Sequence, residues 1–301
     1  MSRRVEIFQV DAFTSTRFAG NPAGVVLNAQ CLQEGEMQAL ARELNNADTA
    51  FVLPAEGADH DLRVRFFTPR SEAAFVGHAT LAVHTVLNSR TPAALRRQSG
   101  KTGIVTIRAL PDDQGFAIRQ SPAPLGPWVG GDELASVLEA LGLASADLDP
   151  HCPARIVGTS STRLLLGLRT GTRLASLTPD LARLAALSAE LGAAGYFLFS
   201  RAPTLADCLV ESRMFCPALG IPEDPVSGNA HGMLGVYLFE RGLLPGDGTL
   251  LQFTGAQGHH MGRPGRVGIA LHVADFGQGP VCEAVEIRGQ AVLVFNATLS
   301  L

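Results

Sequence analysis

Between residues 223 and 232 the chain reads Glu-Asp-Pro-Val-Ser-Gly-Asn-Ala-His-Gly, the densest polar cluster in an otherwise apolar stretch. Pro225 keeps Asp224 out of the helical region, so its carboxylate stands on a loop ahead of a helix. A polar residue in such a place also makes an N-cap. That reading suits Ser227; for Asp224, three residues earlier, it is less natural. A comparable run, Phe75-Val76-Gly77-His78-Ala79-Thr80, lies in the first half. His78 at a helix start fits a general acid or base, or a hydrogen-bond donor to a carboxylate. It fits equally a half-buried histidine with a backbone partner. Glu72 reads as a loop carboxylate with no role beyond solvation. Asn45-Asn46-Ala47-Asp48 reads as a helix C-terminal turn followed by an exposed Asp, and Gly20-Asn21-Pro22-Ala23-Gly24 as a turn. The Gly-rich runs at 251–258 and 262–265 carry no nucleotide fingerprint, and neither a G-x-S-x-G elbow nor a cysteine nucleophile with a nearby base is present.

Periodicity supplies the elements that must position these groups. Residues 5–10 alternate like a strand, 24–27 and 49–53 are short β-rich runs, and 33–44 has helical spacing through Met37, Leu40, Ala41 and Leu44. A strand over 62–68 and a hairpin over 103–110 and 115–120 follow. Residues 121–131 concentrate Pro and Gly and mark the best domain boundary. Beyond it come a helix near 132–143, strands near Arg155 and Arg163, a helix over 179–191, and strands near Tyr196 and Leu209.

Arg65-Phe66-Phe67-Thr68-Pro69 and Arg213-Met214-Phe215-Cys216-Pro217, 148 residues apart, share the form R-x-F-x-P. Each ends a strand and leads through a short loop to a Gly-x-Ala that opens a helix, at Gly77 and at Gly228. That second offset is 151, so the second loop is three residues longer. The pattern points to an internal duplication. Two similar α/β domains would then be related by a pseudo-twofold axis, with both helix starts facing a cleft. Helix N-termini offer unpaired N–H groups, and two facing ones suit a small acidic ligand.

The 301 residues are 46% apolar and 17% charged, enough for a sizeable core and unlike a disordered chain. No apolar run is long enough to span a bilayer, and the start passes directly into a strand-like pattern without a signal-peptide region. A soluble, cytoplasmic protein is expected. The net charge of −4, with no basic stripe, gives no footprint for nucleic acid. All 24 basic residues are Arg except Lys101, which sits in an apparent hairpin turn, so Schiff-base chemistry is disfavoured. The five cysteines are scattered and the eight histidines lack an HExxH, which argues for reduced thiols and against a metal site.

Taken together, Val10-Asp11-Ala12-Phe13, the run from Phe18 through Gly20-Asn21-Pro22-Ala23-Gly24 to Leu27, Met37-Gln38, Asp48-Thr49-Ala50-Phe51-Val52, Phe67-Thr68-Pro69 and Gly77-His78 match a known family. So do Arg213-Met214-Phe215, the run 223–228, Ala230-His231-Gly232, Gln257-Gly258 and Gly262-Arg263-Pro264-Gly265. Nearly end to end, the chain resembles the PhzF-like phenazine-biosynthesis proteins of the diaminopimelate-epimerase fold. The resemblance implies an α+β protein of two similar domains, each a β-barrel-like sheet around a central helix, with the site between them. The domains are expected at 1–120 and 121–301, a strand near 290–297 being free to return to the first. It also implies a homodimer without metal or cofactor.

By position, the family's acid/base carboxylate falls at Asp48, its cleft histidine at His78 beside Gly77, its second-domain aspartate at Asp224, and a polar substrate contact at Asn229. Asn21, Ser227 and Gly228 join the expected substrate-binding set. The family usually has Glu where this chain has Asp48, and Ser where it has Asn229. One methylene fewer retracts a carboxylate by about 1–1.5 Å, and a misplacement of that order can cost about 10²-fold in rate unless the substrate differs to match. The expectation therefore covers acid/base function at Asp48 and stops short of the family's phenazine precursor. The fold's two-cysteine racemases have thiols where this chain has Val76 and Ser227. The leading expectation is a cofactor-independent isomerase of a small carboxylate-bearing metabolite. A lyase, dehydratase or epimerase acting on a hydroxy or amino acid, and a non-catalytic metabolite-binding protein, are the alternatives.

Overall fold

A computed structural model of the chain describes residues 3–159, 161–246, 248–275, 277 and 279–301, with the side chains of 171 and 172 left out. The chain forms two compact units, one of the residues up to Gln120 together with Arg288–Leu301, the other of Ser121–Ile287. The first contains β1 (Arg4–Ala12), β2 (Asn21–Leu27), α1 (Glu34–Leu44), β3 (Asp48–Pro54), β4 (Leu62–Phe67), β5 (Glu72–Ala73), α2 (Gly77–Arg90), β6 (Leu95–Gly100), β7 (Gly103–Ala109) and β8 (Phe116–Gln120). The second contains β9 (Leu125–Trp128), α3 (Gly131–Leu141), β10 (Arg155–Val157), β11 (Arg163–Leu168), α4 (Gly171–Ala175), α5 (Leu181–Leu191), β12 (Tyr196–Ser200), β13 (Val210–Cys216), β14 (Ile221–Asp224), α6 (Gly228–Glu240), β15 (Leu250–Gln257), β16 (Gly265–Asp275) and most of β17 (Pro280–Gly289). The last strand, β18 (Ala291–Ser300), pairs antiparallel with β1.

Both units of this α+β protein follow one topology. In the first, β1 and β2 form a hairpin, β3 adds parallel to β2, β4 pairs antiparallel with β3, and β6 returns parallel to β4 after the central helix α2. In the second, β10 and β11, β12, β13, α6 and β15 take the same places with the same strand directions. The residue repeat is thus also a repeat of architecture.

Helix α2 touches β1, β2, β3, β8 and β18, so the sheet curls around it. A helix enclosed in this way must be apolar on every side, and Ala79, Ala82, Val83 and Val86 pack on Phe8, Val10, Val25, Ala50, Val64 and Phe66. Helix α1 is amphipathic instead. It covers the outer face of the sheet with Met37 and Ala41 against Ile7, Val26, Phe51 and Phe67.

The Pro- and Gly-rich stretch at 121–131, read as the domain boundary, opens the second unit and contains β9. Arg155 and Val157 of β10 pair with Trp128 and Leu125. A sheet edge tolerates Pro127, and Gly126 lets the backbone approach Ile156, whose carbonyl would lie 2.9 Å from a Cβ there.

The loop before each central helix is closed by a two-pronged ion pair. Arg65 donates through Nε and Nη2 to Glu72 at 2.7 and 2.9 Å, and Arg213 does the same to Glu223 at 2.8 and 2.8 Å. Each guanidinium lies over the aromatic ring two residues on, Phe67 at 5.1 Å and Phe215 at 4.9 Å. Glu72 is therefore not a solvated loop group. Arg65, helped by Lys101, holds its carboxyl down at about 2. Arg213 also donates to the Leu174 and Leu177 carbonyls at 2.8 and 3.1 Å.

The first turn of each helix is tied back on itself, with residue sizes exchanged. Thr80 Oγ1 donates to the Val76 carbonyl (2.9 Å) and lies beside Gln98. His231 Nδ1 meets the Ser227 carbonyl (2.7 Å), and the strand residue corresponding to Gln98 is Gly255. A Cβ at Gly255 would overlap the His231 ring.

Arg213→Met leaves Glu223, whose side chain is 16% exposed, without its partner and is expected to cost about 3–5 kcal/mol of stability. Arg65→Met should cost less, because Arg65 is 17% exposed against 9% for Arg213. Denaturant melts of the two variants check the order. The second prediction concerns acid. Burial lowers the pKa of His78, His84 and His231 from 6.5 to about 4. Between those values the unfolded chain takes up protons that the folded chain refuses. Stability should thus be full above pH 6.5 and fall as pH drops toward 4, by up to about 1.4 kcal/mol per pH unit for each histidine. Melts at pH 7, 6 and 5 test this, and His84→Gln should remove one histidine's share of the slope.

Candidate active site

Asn21 opens β2 and Asp48 opens β3; the parallel pairing that sets Ala23 opposite Asp48 places both at the same end of the sheet. α1 stops at Asn45, whose left-handed backbone (φ 51°) and N–H bond to the Ala41 carbonyl (3.1 Å) turn the chain into β3. Asp48 is only 8% exposed, so the reading of this turn as ending in an exposed Asp is wrong. The cause is tertiary, since the start of α2 comes close to it. His78, second residue of that helix, places Nε2 at 3.7 Å from Asp48 Oδ2.

His78 is buried rather than half-buried, and desolvation pushes its pKa down to about 4, so the imidazole is neutral at neutral pH. Its Nε2 has no hydrogen bond, and 3.7 Å is too long for one to Asp48. A buried ring nitrogen left in this way is an opening for a ligand atom. The helix start is open too. Val76 provides no side-chain cap, and the N–H groups of Gly77, His78 and Ala79 have no acceptor within the helix. Nothing lies within 4 Å of where a Cβ on Gly77 would stand. Amides and helix dipole together favour a carboxylate there.

In the second unit Asp224 ends β14, and buried Pro225 and Val226 carry the chain to α6. The buried side chain of Gln257 clamps this loop. Its Nε2 donates to the Asp224 carbonyl (2.7 Å), and its Oε1 accepts from the Ser227 N–H (3.0 Å). Ser227 Oγ in turn accepts from the Ala230 N–H (3.2 Å), so Ser227 is the N-cap and both its amide and its hydroxyl are engaged. Gly228 is buried and Asn229 half-buried in the first turn.

The candidate residues thus fall into two sets: Asn21, Asp48, Gly77 and His78 on one unit, and Asp224, Ser227, Gly228 and Asn229 on the other. The repeat matches Asn229 to His78. Because Thr49 pairs with Phe67 as Tyr196 does with Phe215, it also matches Gly195 to Asp48. A Cβ on Gly195 would overlap Cys216 Sγ and lie 3.0 Å from the Phe215 carbonyl. The carboxylate–imidazole pair therefore belongs to the first unit alone.

Sequence reasoning missed Gln257 as a clamp, and it missed the two ion pairs. The ion pairs did leave a trace: after each repeated Arg a Glu follows, at Glu72 and Glu223, with the same three-residue lengthening. Among the described residues no group of three or more His, Cys, Asp or Glu is arranged to hold a metal ion. Nor is any helix long and apolar enough to cross a membrane.

Known proteins resemble this chain nearly end to end. The uncharacterized isomerase YddE of Salmonella typhimurium is 38% identical over 296 residues, covering 97% of each chain. The trans-2,3-dihydro-3-hydroxyanthranilate isomerase of Pseudomonas aeruginosa is 29% identical over 285 residues, with 93% of this chain and 94% of that protein covered. The crystal structure of a PhzF-family phenazine biosynthesis protein from Bacillus anthracis superposes with a TM-score of 0.87 at 26% identity, covering 99% of both chains. A family model for phenazine biosynthesis-like proteins matches residues 10–297. With that match and those relatives, the chain belongs to the PhzC-PhzF family of phenazine biosynthesis-like proteins, alongside its isomerases.

Proposed function

We propose that this chain is a cofactor-independent isomerase that moves a proton from one carbon of a small carboxylate-bearing metabolite to another. The reading rests on one observation above all: the buried Asp48 carboxylate, 3.7 Å from an imidazole Nε2 that has no hydrogen bond, beside a helix start without a cap. Asp48 takes the proton from carbon as general base, and the C–H electron pair moves into the unsaturated system of the ligand. The resulting carboxylic acid, whose proton exchanges with solvent, gives a proton back at the other end of that system, so no further reactant is consumed. Because burial keeps His78 neutral, it offers Asp48 a dipole rather than a full positive charge.

The open amides of Gly77, His78 and Ala79 take the ligand's carboxylate, and His78 Nε2 bonds a polar group next to the reacting carbon. Asn21 supplies a further contact, and Asp224, Gly228 and Asn229 are the second unit's own candidates. Ser227 contributes through the cap it makes. The retracted Asp48 carboxylate favours a ligand whose acidic carbon comes nearer to β3 than the longer side chain would allow.

The test is deuterium uptake from D₂O, followed by mass spectrometry and NMR. The panel comprises small cyclic and amino carboxylates, including the compound for which the Pseudomonas enzyme is named. The intact protein should label at least one member without changing its composition, and Asp48→Ala should lower that rate by about 10²–10⁴-fold while keeping the fold. Equal labelling by the variant overturns the role of Asp48. Loss of water from the labelled compound would identify a dehydratase, and binding without any labelling would favour a metabolite-binding protein.

A further inference from the structure

We infer that the guanidinium of Arg163, in the second unit, binds the carboxylate of a small-molecule ligand, which makes its end of that sheet an anion site. The inference goes beyond the proposed reaction and does not depend on it, because that reaction places the ligand's carboxylate on α2 of the first unit.

Arg163 opens β11. Among the described residues Arg163 and Arg213 are the two buried arginines, 7% and 8% exposed. Their surroundings differ. Arg213 gives Nε and Nη2 to Glu223 and Nη1 to two backbone carbonyls. Arg163 gives Nη1 to the carbonyl of its own neighbour Thr162 at 2.8 Å, and its guanidinium makes no other hydrogen bond. Its Nε is shut off from water and has no acceptor. No carboxylate among the described residues pairs with it. The Nε–Nη2 edge that holds a glutamate in both Arg65 and Arg213 thus carries no partner in Arg163. A guanidinium keeps its charge inside a protein, and a buried charge without a counter-charge is destabilising. A group left in that condition is accounted for when a ligand completes its pairing.

The place of Arg163 in the repeat supports the same reading. Ala23 lies opposite Asp48 in the first unit. In the second, Leu164 lies opposite Tyr196, so one step earlier Arg163 lies opposite Gly195, the residue matched to Asp48. The units have thus exchanged charge at this place: a carboxylate on one strand of the first, a guanidinium on the facing strand of the second. Gly195 is what admits it, since a Cβ there would stand 3.2 Å from Arg163 Cδ. Asp224 belongs to the same end of the sheet. Burial pushes the Cys216 thiol up to about 11, while Arg163 pulls it down and Asp224 pushes it up, so both groups reach the same sulfur.

The chemistry of the ligand follows from these groups. A planar guanidinium matches a planar carboxylate, two N–H groups to two oxygens. The acidic side chain of Asp224 at the same end opposes a doubly charged phosphate more than a singly charged carboxylate.

Titration of the native chain with acetate, benzoate and succinate tests the assignment by two-dimensional ¹⁵N NMR, with inorganic phosphate and neutral benzamide for comparison. The Nε–H signal of Arg163, identified by its absence from Arg163→Met, should move saturably with at least one carboxylate and stay still with benzamide. Arg163→Met should raise the dissociation constant of that carboxylate about 10–100-fold, the loss of one charge-assisted pair. Arg163→Lys keeps the charge without the planar fork and should recover part of the affinity. Ligand-free Arg163→Met should melt no lower than the native chain, the opposite of Arg213→Met, because it removes an unpaired buried charge. A signal that no carboxylate moves, a signal that answers to phosphate alone, equal affinity in Arg163→Met, or a ligand-free variant that melts well below the native chain would each overturn the inference. Deuterium uptake has no part in this test, so its outcome and that of the proposed reaction are read separately.

Discussion

The guanidinium fork that closes the loop ahead of each central helix is the contact on which the site's geometry depends. Each loop must reverse the chain at the end of a strand and deliver it to the start of a buried helix. Arg65 and Glu72 do this in the first unit, and Arg213 and Glu223 in the second, each pair spanning its loop with two parallel hydrogen bonds. An ordinary surface ion pair would be too weak to fix a backbone. These are largely shielded from water, share two hydrogen bonds, and stack on an aromatic ring, so the guanidinium has little freedom left to lose. Gly77 and Gly228 are where they are because the loops before them cannot open.

On this doubled frame the two helix starts have diverged. α2 begins with an uncapped turn, a histidine without a hydrogen bond on Nε2, and a carboxylate within reach. α6 begins with a serine cap, a glutamine clamp and a histidine turned inward to the Ser227 carbonyl and, at 3.3 Å, to Ser212. The first leaves polar groups open, and the second satisfies them internally. Polar groups left without partners cost stability, and of the two helix starts only that of α2 carries the cost. This is the pattern expected when one helix start is tuned for a ligand and its counterpart for rigidity.

Much of this could be read from the chain. The strands and helices with clear periodicity stand close to where alternation and helical spacing place them, and the R-x-F-x-P repeat marks the duplicated topology. What could not be read depends on neighbours distant in sequence. Asp48 looks like an exposed residue after a helix because its burial is imposed by α2, some thirty residues later. Glu72 looks solvated because its partners are Arg65 on β4 and Lys101 in the turn between β6 and β7. Residues 121–131 mark a boundary but give no sign of β9, because Pro and Gly are read as breakers, whereas a sheet edge accepts both. The role of Gln257 is invisible locally, since a glutamine in a strand gives no sign of which loop its amide will hold.

The close approach of Gly195 to Cys216 has a consequence for what this architecture can become. A side chain at 195 would have to displace a sulfur and a backbone carbonyl before it could project anywhere. The second unit therefore has no space for a carboxylate at this place, and no single substitution provides one. The duplicated frame is thus closed at 195 where it is open at 48, and at this place a carboxylate has room in the first unit alone.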